Sequence, residues 1–154
     1  MKKFIVLAIV LMAFTQQKLM AQELGTSYRT AIGVKFYPGG VTLKHFVASN
    51  AALEFIGYFW ERGSRITGLY EYHGNISDGG GLRWYIGPGA HVAFYNSKFF
   101  AGGQTVGIDG VLGLDLKLNH IPINLSIDWQ PSYEFGDYNG FTSAWGGFAI
   151  RYTF

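Results

Sequence analysis

Residues 106–118 read VGIDGVLGLDLKL, the clearest two-residue alternation in the chain. Its even-numbered positions carry Val, Ile, Gly and four Leu, whereas its odd-numbered positions carry Gly, Asp, Val and Lys. Alternation with a period of two is typical of a β-strand, because successive side chains point to opposite faces of a sheet. The stretch therefore predicts a strand with one apolar face and one polar face.

The same alternation recurs in residues 30–37, 82–94, 123–130 and 148–154, and turn-forming residues separate the runs. Residues 55–60 are apolar on both faces, so the strand that contains them is the least regular. The pattern predicts an all-β domain of eight antiparallel strands. We place them at 28–37, 41–48, 52–61, 65–74, 82–95, 105–118, 122–135 and 141–154.

The composition excludes several other classes of protein. Charged residues make up 14% of the chain and aromatic residues 18%, which is unlike a disordered chain. The 22 Gly disfavour a helical bundle, because Gly weakens helix interiors. The absence of Cys excludes a disulfide scaffold, a Cys-ligated zinc site and a cysteine nucleophile.

The N-terminal segment has the pattern of a cleaved secretory signal. Lys2 and Lys3 precede an apolar run over 4–14, and Ala21 is the expected last residue before cleavage. The run is too short for a transmembrane helix. We therefore assign residues 1–21 to a signal peptide and 22–154 to one barrel domain.

Removal of this segment changes the charge of the chain. It takes three of the 12 Lys+Arg and none of the 10 Asp+Glu, so the mature net charge is −1. The mature chain has no cluster of Lys or Arg, and we expect no nucleic-acid partner.

Alternation does not say which face lies outside the barrel. In a soluble barrel the apolar face lines the interior, so Leu112, Leu114 and Ile127 would surround a cavity. In a membrane barrel the apolar face meets lipid and the polar face lines the interior. Three features favour the membrane form: Gly-rich polar faces with few charges, runs longer than ten residues, and apolar faces that end in aromatic residues. Those aromatic residues are Tyr28, Phe36, Trp84, Phe94, Trp129, Tyr152 and Phe154.

The last strand, GFAIRYTF at 147–154, alternates apolar residues at Phe148, Ile150 and Tyr152 and ends on Phe154. With the signal peptide and eight strands, the chain resembles the small bacterial outer-membrane barrels of the OmpA/OmpX type. The resemblance implies a monomeric, up-and-down transmembrane barrel in the outer membrane. It also implies that these four residues act as an assembly signal, read by the barrel assembly machinery after delivery by periplasmic chaperones. Members of this family carry long outer loops, whereas here only 96–104 has room for a binding surface.

Charged residues on the polar faces form a candidate network inside the barrel. Because an unpaired buried charge is costly, these groups should pair across the interior. A narrow conduit or a small-ligand pocket is the alternative. The predicted members are Arg29, Lys35, Lys44, Glu54, Glu71, Arg83, Asp109, Asp115, Lys117, Asp128 and Arg151.

Catalysis requires a nucleophile, a base and an orienting acid within reach of one another. His45 lies near Ser49, and His73 shares a strand face with Glu71, but neither spacing is a recognised motif. We expect His91 to join the interior network and His120 to be exposed in a turn. We assign no catalytic residue, cofactor or metal, and the enzyme alternative is a lipid A acyltransferase or deacylase.

Two prolines are expected to disturb their strands, because Pro cannot donate to the ladder. Pro88 lies between two glycines and predicts a bulge or kink, and Pro131 predicts a bend. The sequence as a whole predicts an outer-membrane barrel with a filled polar interior and a structural or interaction role. The alternatives are the lipid A enzyme, a narrow conduit, or a secreted soluble ligand-binding barrel.

Overall fold

The computed structural model describes residues 28–76, 81–96, 103–136 and 139–154. The expected signal peptide over 1–21 and most of the 96–104 loop lie outside the described residues. Eight strands are present, each within two residues of its predicted bounds. They are β1 (Thr30–Phe36), β2 (Gly40–Ala48), β3 (Ala51–Trp60), β4 (Gly63–Asn75), β5 (Leu82–Tyr95), β6 (Gly103–Lys117), β7 (Ile123–Phe135) and β8 (Gly140–Thr153).

The eight strands form a closed, antiparallel, up-and-down barrel, and the predicted fold class is confirmed. Each strand pairs with its neighbours in sequence, and β1 closes the barrel on β8 through pairs such as Val34 with Ile150. Closure satisfies the edge strands, which would otherwise expose unpaired N–H and C=O groups. Within the described residues no helix is long and apolar enough to cross a membrane.

The outward-facing surface of the barrel is apolar. On β6, Ile108 is 57% exposed and Leu112 is 50% exposed, while Asp109 and Asp115 between and beside them are buried. Leu112, Leu114 and Ile127 thus lie outside the barrel and do not line a cavity. Exposed apolar side chains occur on every strand, including Ile32, Val34, Val41, Phe55, Ile66, Ile86, Ile127 and Ile150.

The two ends of the barrel differ in the chain segments that they carry. The terminal rim holds Arg29, Phe154 and the turns at 49–50 and 118–122, and the loop rim holds the turns at 37–39 and 61–62. Aromatic residues are exposed near both rims: Tyr72 with Trp84 and Tyr152 with Phe154 at the terminal rim, and Phe36, Phe59, Phe94, Tyr133, Phe135 and Phe141 toward the loop rim.

Two aromatic residues depart from the expected position at the end of an outward face. Tyr28 is buried inside, where its ring lies 5.3 Å from that of Phe46 and its hydroxyl donates to Asp115 at 3.4 Å. β1 begins only at Thr30, so its alternation does not extend to Tyr28. Trp129 lies halfway along β7, and its indole N–H donates to the Ser143 carbonyl at 3.0 Å.

The prolines disturb the ladders in different ways. Between β7 and β8 the register shifts from Gln130 to Ser132, so Pro131 marks the expected irregularity. Of the bulge or kink expected at Pro88, the bulge is absent, because β5 stays in register with both neighbours. The β4–β5 ladder is instead interrupted between its Leu69–Gly89 and Tyr72–Ile86 pairs, because Pro88 has no N–H to donate.

Candidate functional site

The barrel interior holds buried charged and polar side chains, and every strand contributes at least one of them. Four cations (Lys35, Lys44, Arg65, Arg151) and six carboxylates (Glu54, Glu71, Asp109, Asp115, Asp128, Glu134) are buried there. Eight strands enclose an interior that is just wide enough for side chains to fill. The groups pair in three clusters that follow one another along the barrel axis.

The central cluster is built around the Lys44 ammonium group on β2. Its Nζ lies 2.8 Å from Glu71 Oε2, 3.4 Å from Glu54 Oε2 and 3.6 Å from Asp115 Oδ2. Nζ also lies 4.2 Å from the centre of the Tyr85 ring. One cation thus holds carboxylates from β3, β4 and β6 together.

Arg151 completes the central cluster from β8, on the other side of β1 from Lys44. Its guanidinium donates to Glu54 and to the Thr42 hydroxyl, the latter at 3.2 Å. It donates further to Asn124 Oδ1 at 3.0 Å and to Ser126 Oγ at 2.7 Å. Four hydrogen bonds to neighbouring side chains hold this guanidinium in place, so it bridges β8 to β2, β3 and β7.

A second cluster surrounds the Asp128 carboxylate, one layer nearer the loop rim. Lys35 Nζ lies 2.5 Å from Oδ2, and the Tyr85 hydroxyl donates to the same oxygen at 2.7 Å. Gln130 Nε2 donates to Oδ1 at 2.9 Å, and the Tyr58 hydroxyl donates to Gln130 Oε1 at 2.9 Å. Asp128 therefore has donors on both carboxylate oxygens.

The rim cluster (Arg65, His91, Asp109 and Glu134) lies closest to the loop rim. Arg65 donates to Asp109, and His91 Nδ1 lies 2.9 Å from Asp109 Oδ2. Glu134 Oε1 is 3.9 Å from Arg65 Nη1 and 3.7 Å from His91 Nε2. This cluster links β4, β5, β6 and β7.

Two glycines on the inward face of β6, Gly107 and Gly113, leave room for the rings of His91 and Tyr85. A Cβ at Gly113 would lie 2.5 Å from Tyr85 Cζ, and one at Gly107 would lie 2.4 Å from His91 Cε1. Any side chain at these positions would displace a ring that donates to, or pairs with, a buried carboxylate. The Gly content of the polar faces thus has a packing reason.

The predicted network residues fall into two groups. Eight of them, Lys35, Lys44, Glu54, Glu71, Asp109, Asp115, Asp128 and Arg151, are buried in the three clusters. Arg29, Arg83 and Lys117 lie instead at the terminal rim. Arg83 donates to Asn75 Oδ1 and to the Ser49 carbonyl, and Lys117 donates to the carbonyls of Leu118 and Ile121, because strand ends offer free carbonyl groups.

The histidines have mostly structural surroundings. His73 lies 3.0 Å from Glu71 Oε2 and stacks on Tyr85, and His45 Nδ1 lies 2.9 Å from the Thr30 hydroxyl rather than against Ser49. His120 is in a turn at a positive φ of 67° and is exposed. Within the described ranges no group of three or more His, Asp or Glu is arranged to hold a metal ion.

A cavity of about 650 Å³ opens at the loop rim, above the rim cluster. We call it the mouth cavity. Its walls carry Trp60 from β3, Tyr95 from β5, and Phe141 and Trp145 from β8. The remaining lining residues are Tyr37, Pro38, Arg62, Glu134, Gly140, Thr142 and Ala144.

The aromatic rings of the mouth cavity pack against one another. The Trp60 ring meets the Trp145 ring edge to face at 5.2 Å and the Tyr95 ring at 6.1 Å. Below them the Arg65 guanidinium lies 4.2 Å from the Trp145 ring centre, and Tyr58 lies 5.1 Å from the same ring. These side chains form a floor between the mouth cavity and the Asp128 cluster.

Sequence reasoning missed Arg65, Glu134 and the mouth cavity. Arg65 shares the inward face of β4 with Glu71, and Glu134 shares that of β7 with Asp128, so the same alternation rule contains the signal for both. Comparison with family models, with curated proteins and with solved structures finds no match to this chain.

Proposed function

We propose that the chain is an integral outer-membrane barrel with a structural or interaction role and a filled polar interior. The observation that carries the proposal is its sidedness. Apolar side chains cover the outward surface of all eight strands, while charged side chains are buried inside. This is the arrangement of a barrel whose outer surface meets lipid.

The same arrangement of side chains would be energetically unfavourable for a barrel surrounded by water. In water, exposed apolar patches larger than a few hundred Å² are rare on monomers, because their hydration is unfavourable. Burying ten charged groups inside a barrel also costs free energy. Inward placement is favoured only where placing the same groups on the outer surface costs more, as it does when that surface meets lipid. Both terms favour lipid as the surroundings of this barrel.

The interior favours a structural plug over a conduit. The largest fully buried side chains are Arg65, Arg151, Tyr58, Tyr85 and Lys35, and they come from different walls of the barrel. Their pairing in three clusters fills the cross-section with fixed polar contacts. Strands cross-linked in this way hold one register, so the proposed role of the network is to stabilise the closed barrel.

The proposal predicts a membrane-bound, heat-modifiable protein. On fractionation of expressing cells, we expect the chain in the outer-membrane fraction, and we expect its unboiled form to migrate differently from its boiled form in gel electrophoresis. A closed barrel with no free edge resists detergent until it is heated. A soluble periplasmic species without a mobility shift would contradict the proposal and favour a soluble barrel.

Phe154 is predicted to act in assembly. Its backbone closes the barrel, because its N–H donates to the Thr30 carbonyl at 2.8 Å and its carbonyl accepts from Arg29 at 3.1 Å. Its ring, however, is exposed beside Tyr152. Phe154→Ala keeps the backbone bonds and removes the ring, so we expect a severalfold lower amount of the heat-modifiable form in the membrane.

Phe135→Ala is the matched control, because Phe135 is an exposed Phe at the opposite rim. Its amount in the membrane should stay close to that of the wild type. Equal amounts for both variants would remove the assembly role of Phe154 and leave it as an ordinary outward-facing aromatic residue.

A further inference from the structure

Trp60 and Trp145, which line the mouth cavity, do not belong to a lipid-facing belt. Trp60 follows Glu54, Ile56 and Tyr58 on the inward face of β3, and Trp145 is paired with the inward-facing Gln130. Both rings therefore belong to the inside of the barrel end. An open cavity of about 650 Å³ lies in the size range of small-molecule sites, about 300–1,000 Å³.

We propose that the mouth cavity is a binding site for a neutral saccharide. A sugar ring presents apolar C–H faces, which pack on aromatic rings, and a rim of hydroxyl groups, which both donate and accept hydrogen bonds. Trp60, Trp145 and Tyr95 supply the ring surfaces. The proposal concerns a ligand at the barrel end and does not depend on the membrane location proposed above.

The polar groups of the mouth cavity match the hydroxyl groups of such a ligand. Glu134 offers carboxylate oxygens, and the Tyr95 hydroxyl donates to Oε1 at 3.3 Å and to Oε2 at 3.1 Å. Arg62 contributes guanidinium donors, and Thr142 contributes a hydroxyl. Acceptors and donors thus lie around the same set of rings, which is the mixture that fixes the orientation of a ligand in an apolar site.

The charges of the mouth cavity disfavour the other ligand classes. A cation would meet Arg62 in the wall and Arg65 beneath, where the guanidinium already covers a face of the Trp145 ring at 4.2 Å. An anion would meet the Glu134 carboxylate. A purely apolar ligand would desolvate both charged groups without replacing their hydrogen bonds. A neutral polyhydroxylated ring avoids all three costs.

The test uses the full mature chain, folded in detergent micelles. An array of neutral oligosaccharides built from glucose, galactose, mannose and N-acetylglucosamine is screened first, and the best probe is then titrated by calorimetry. Choline and dodecanoate serve as cationic and apolar anionic probes. We expect saccharide binding, which Trp60→Ala weakens by about tenfold or more, since Trp is enriched among the residues whose truncation costs most of the binding energy.

Glu134→Gln keeps the shape of the side chain and removes its charge, and we expect it to weaken binding as well. Trp84→Ala is the matched control, because Trp84 faces outward near the opposite rim. Unboiled gel mobility establishes that each variant is folded. The proposal is overturned if no saccharide binds, if Trp60→Ala binds as the wild type does, or if choline or dodecanoate binds in place of the sugars. Each of these results leaves the membrane proposal untouched, because that proposal is tested by fractionation.

Discussion

Glu54→Ala is expected to destabilise the folded barrel by about 3–5 kcal/mol, the cost of breaking a buried ion pair by removing one partner. Glu54 is fully buried and accepts from both Arg151 and Thr42. Lys44 keeps Glu71 at 2.8 Å when Glu54 is lost. Among the described residues Arg151 keeps only neutral hydrogen-bond partners, so its buried guanidinium loses the carboxylate to which it is directly bonded. Urea unfolding of the barrel in lipid vesicles, followed by tryptophan fluorescence, measures the loss.

Glu61→Ala is the matched control for this prediction. Glu61 lies in the exposed turn that follows the same strand, so its removal should change the free energy of unfolding by less than about 0.5 kcal/mol. The double variant Glu54→Leu with Arg151→Met removes both charges and should recover most of the stability. If Glu54→Ala unfolds at the same urea concentration as Glu61→Ala, the central cluster does not stabilise the barrel.

The strands could be predicted from the sequence because their signals are local. In β5, residues 82–95 alternate and are bounded by turn residues, and the structure has the same bounds. The bulge expected at Pro88 is absent because β5 can lose one donor while its other ladder stays in register. A local sequence pattern thus predicts the bounds of a strand better than it predicts the hydrogen-bond pairing of that strand with its neighbours.

Whether a charged side chain points into the barrel could also be predicted, but its position along the barrel axis could not. Arg83 shares the inward alternation of Tyr85, yet it lies at the start of β5 and donates to the Ser49 carbonyl and the Asn75 side chain at the rim. Tyr28 precedes β1 and is drawn inside by Phe46 and Asp115. Both outcomes depend on where a strand begins, and sequence patterns fix such boundaries least well.

The mouth cavity could not be predicted, because no local pattern contains it. Trp60 and Trp145 lie on β3 and β8, which are not neighbours in the sheet, and their rings meet across the barrel interior. Only closure brings these residues together. Contacts across a closed interior depend on barrel size and strand stagger, and alternation reports neither of them.

Leu112→Arg is expected to cost about 2–4 kcal/mol of folding free energy in a bilayer, the penalty for Arg on the lipid face near the midplane. Leu112 is 50% exposed on the outward face of β6 and is paired with Trp129, which lies halfway along β7. The same substitution at the water-exposed surface of a soluble barrel would be close to neutral. Folding into lipid vesicles, measured as the fraction of heat-modifiable protein against urea concentration, gives the cost.

Two variants on the same strand separate charge from depth. Leu112→Ala removes the apolar side chain without adding charge, so it should fold with a smaller loss than Leu112→Arg. Gln104→Arg places the same charge on the same outward face but at the loop-rim end of β6, where the penalty falls to about 0–1 kcal/mol. A cost that rises from Gln104→Arg to Leu112→Arg follows from a bilayer around the barrel. Equal costs at both depths would mean that the apolar surface does not meet lipid, since water has no such depth dependence.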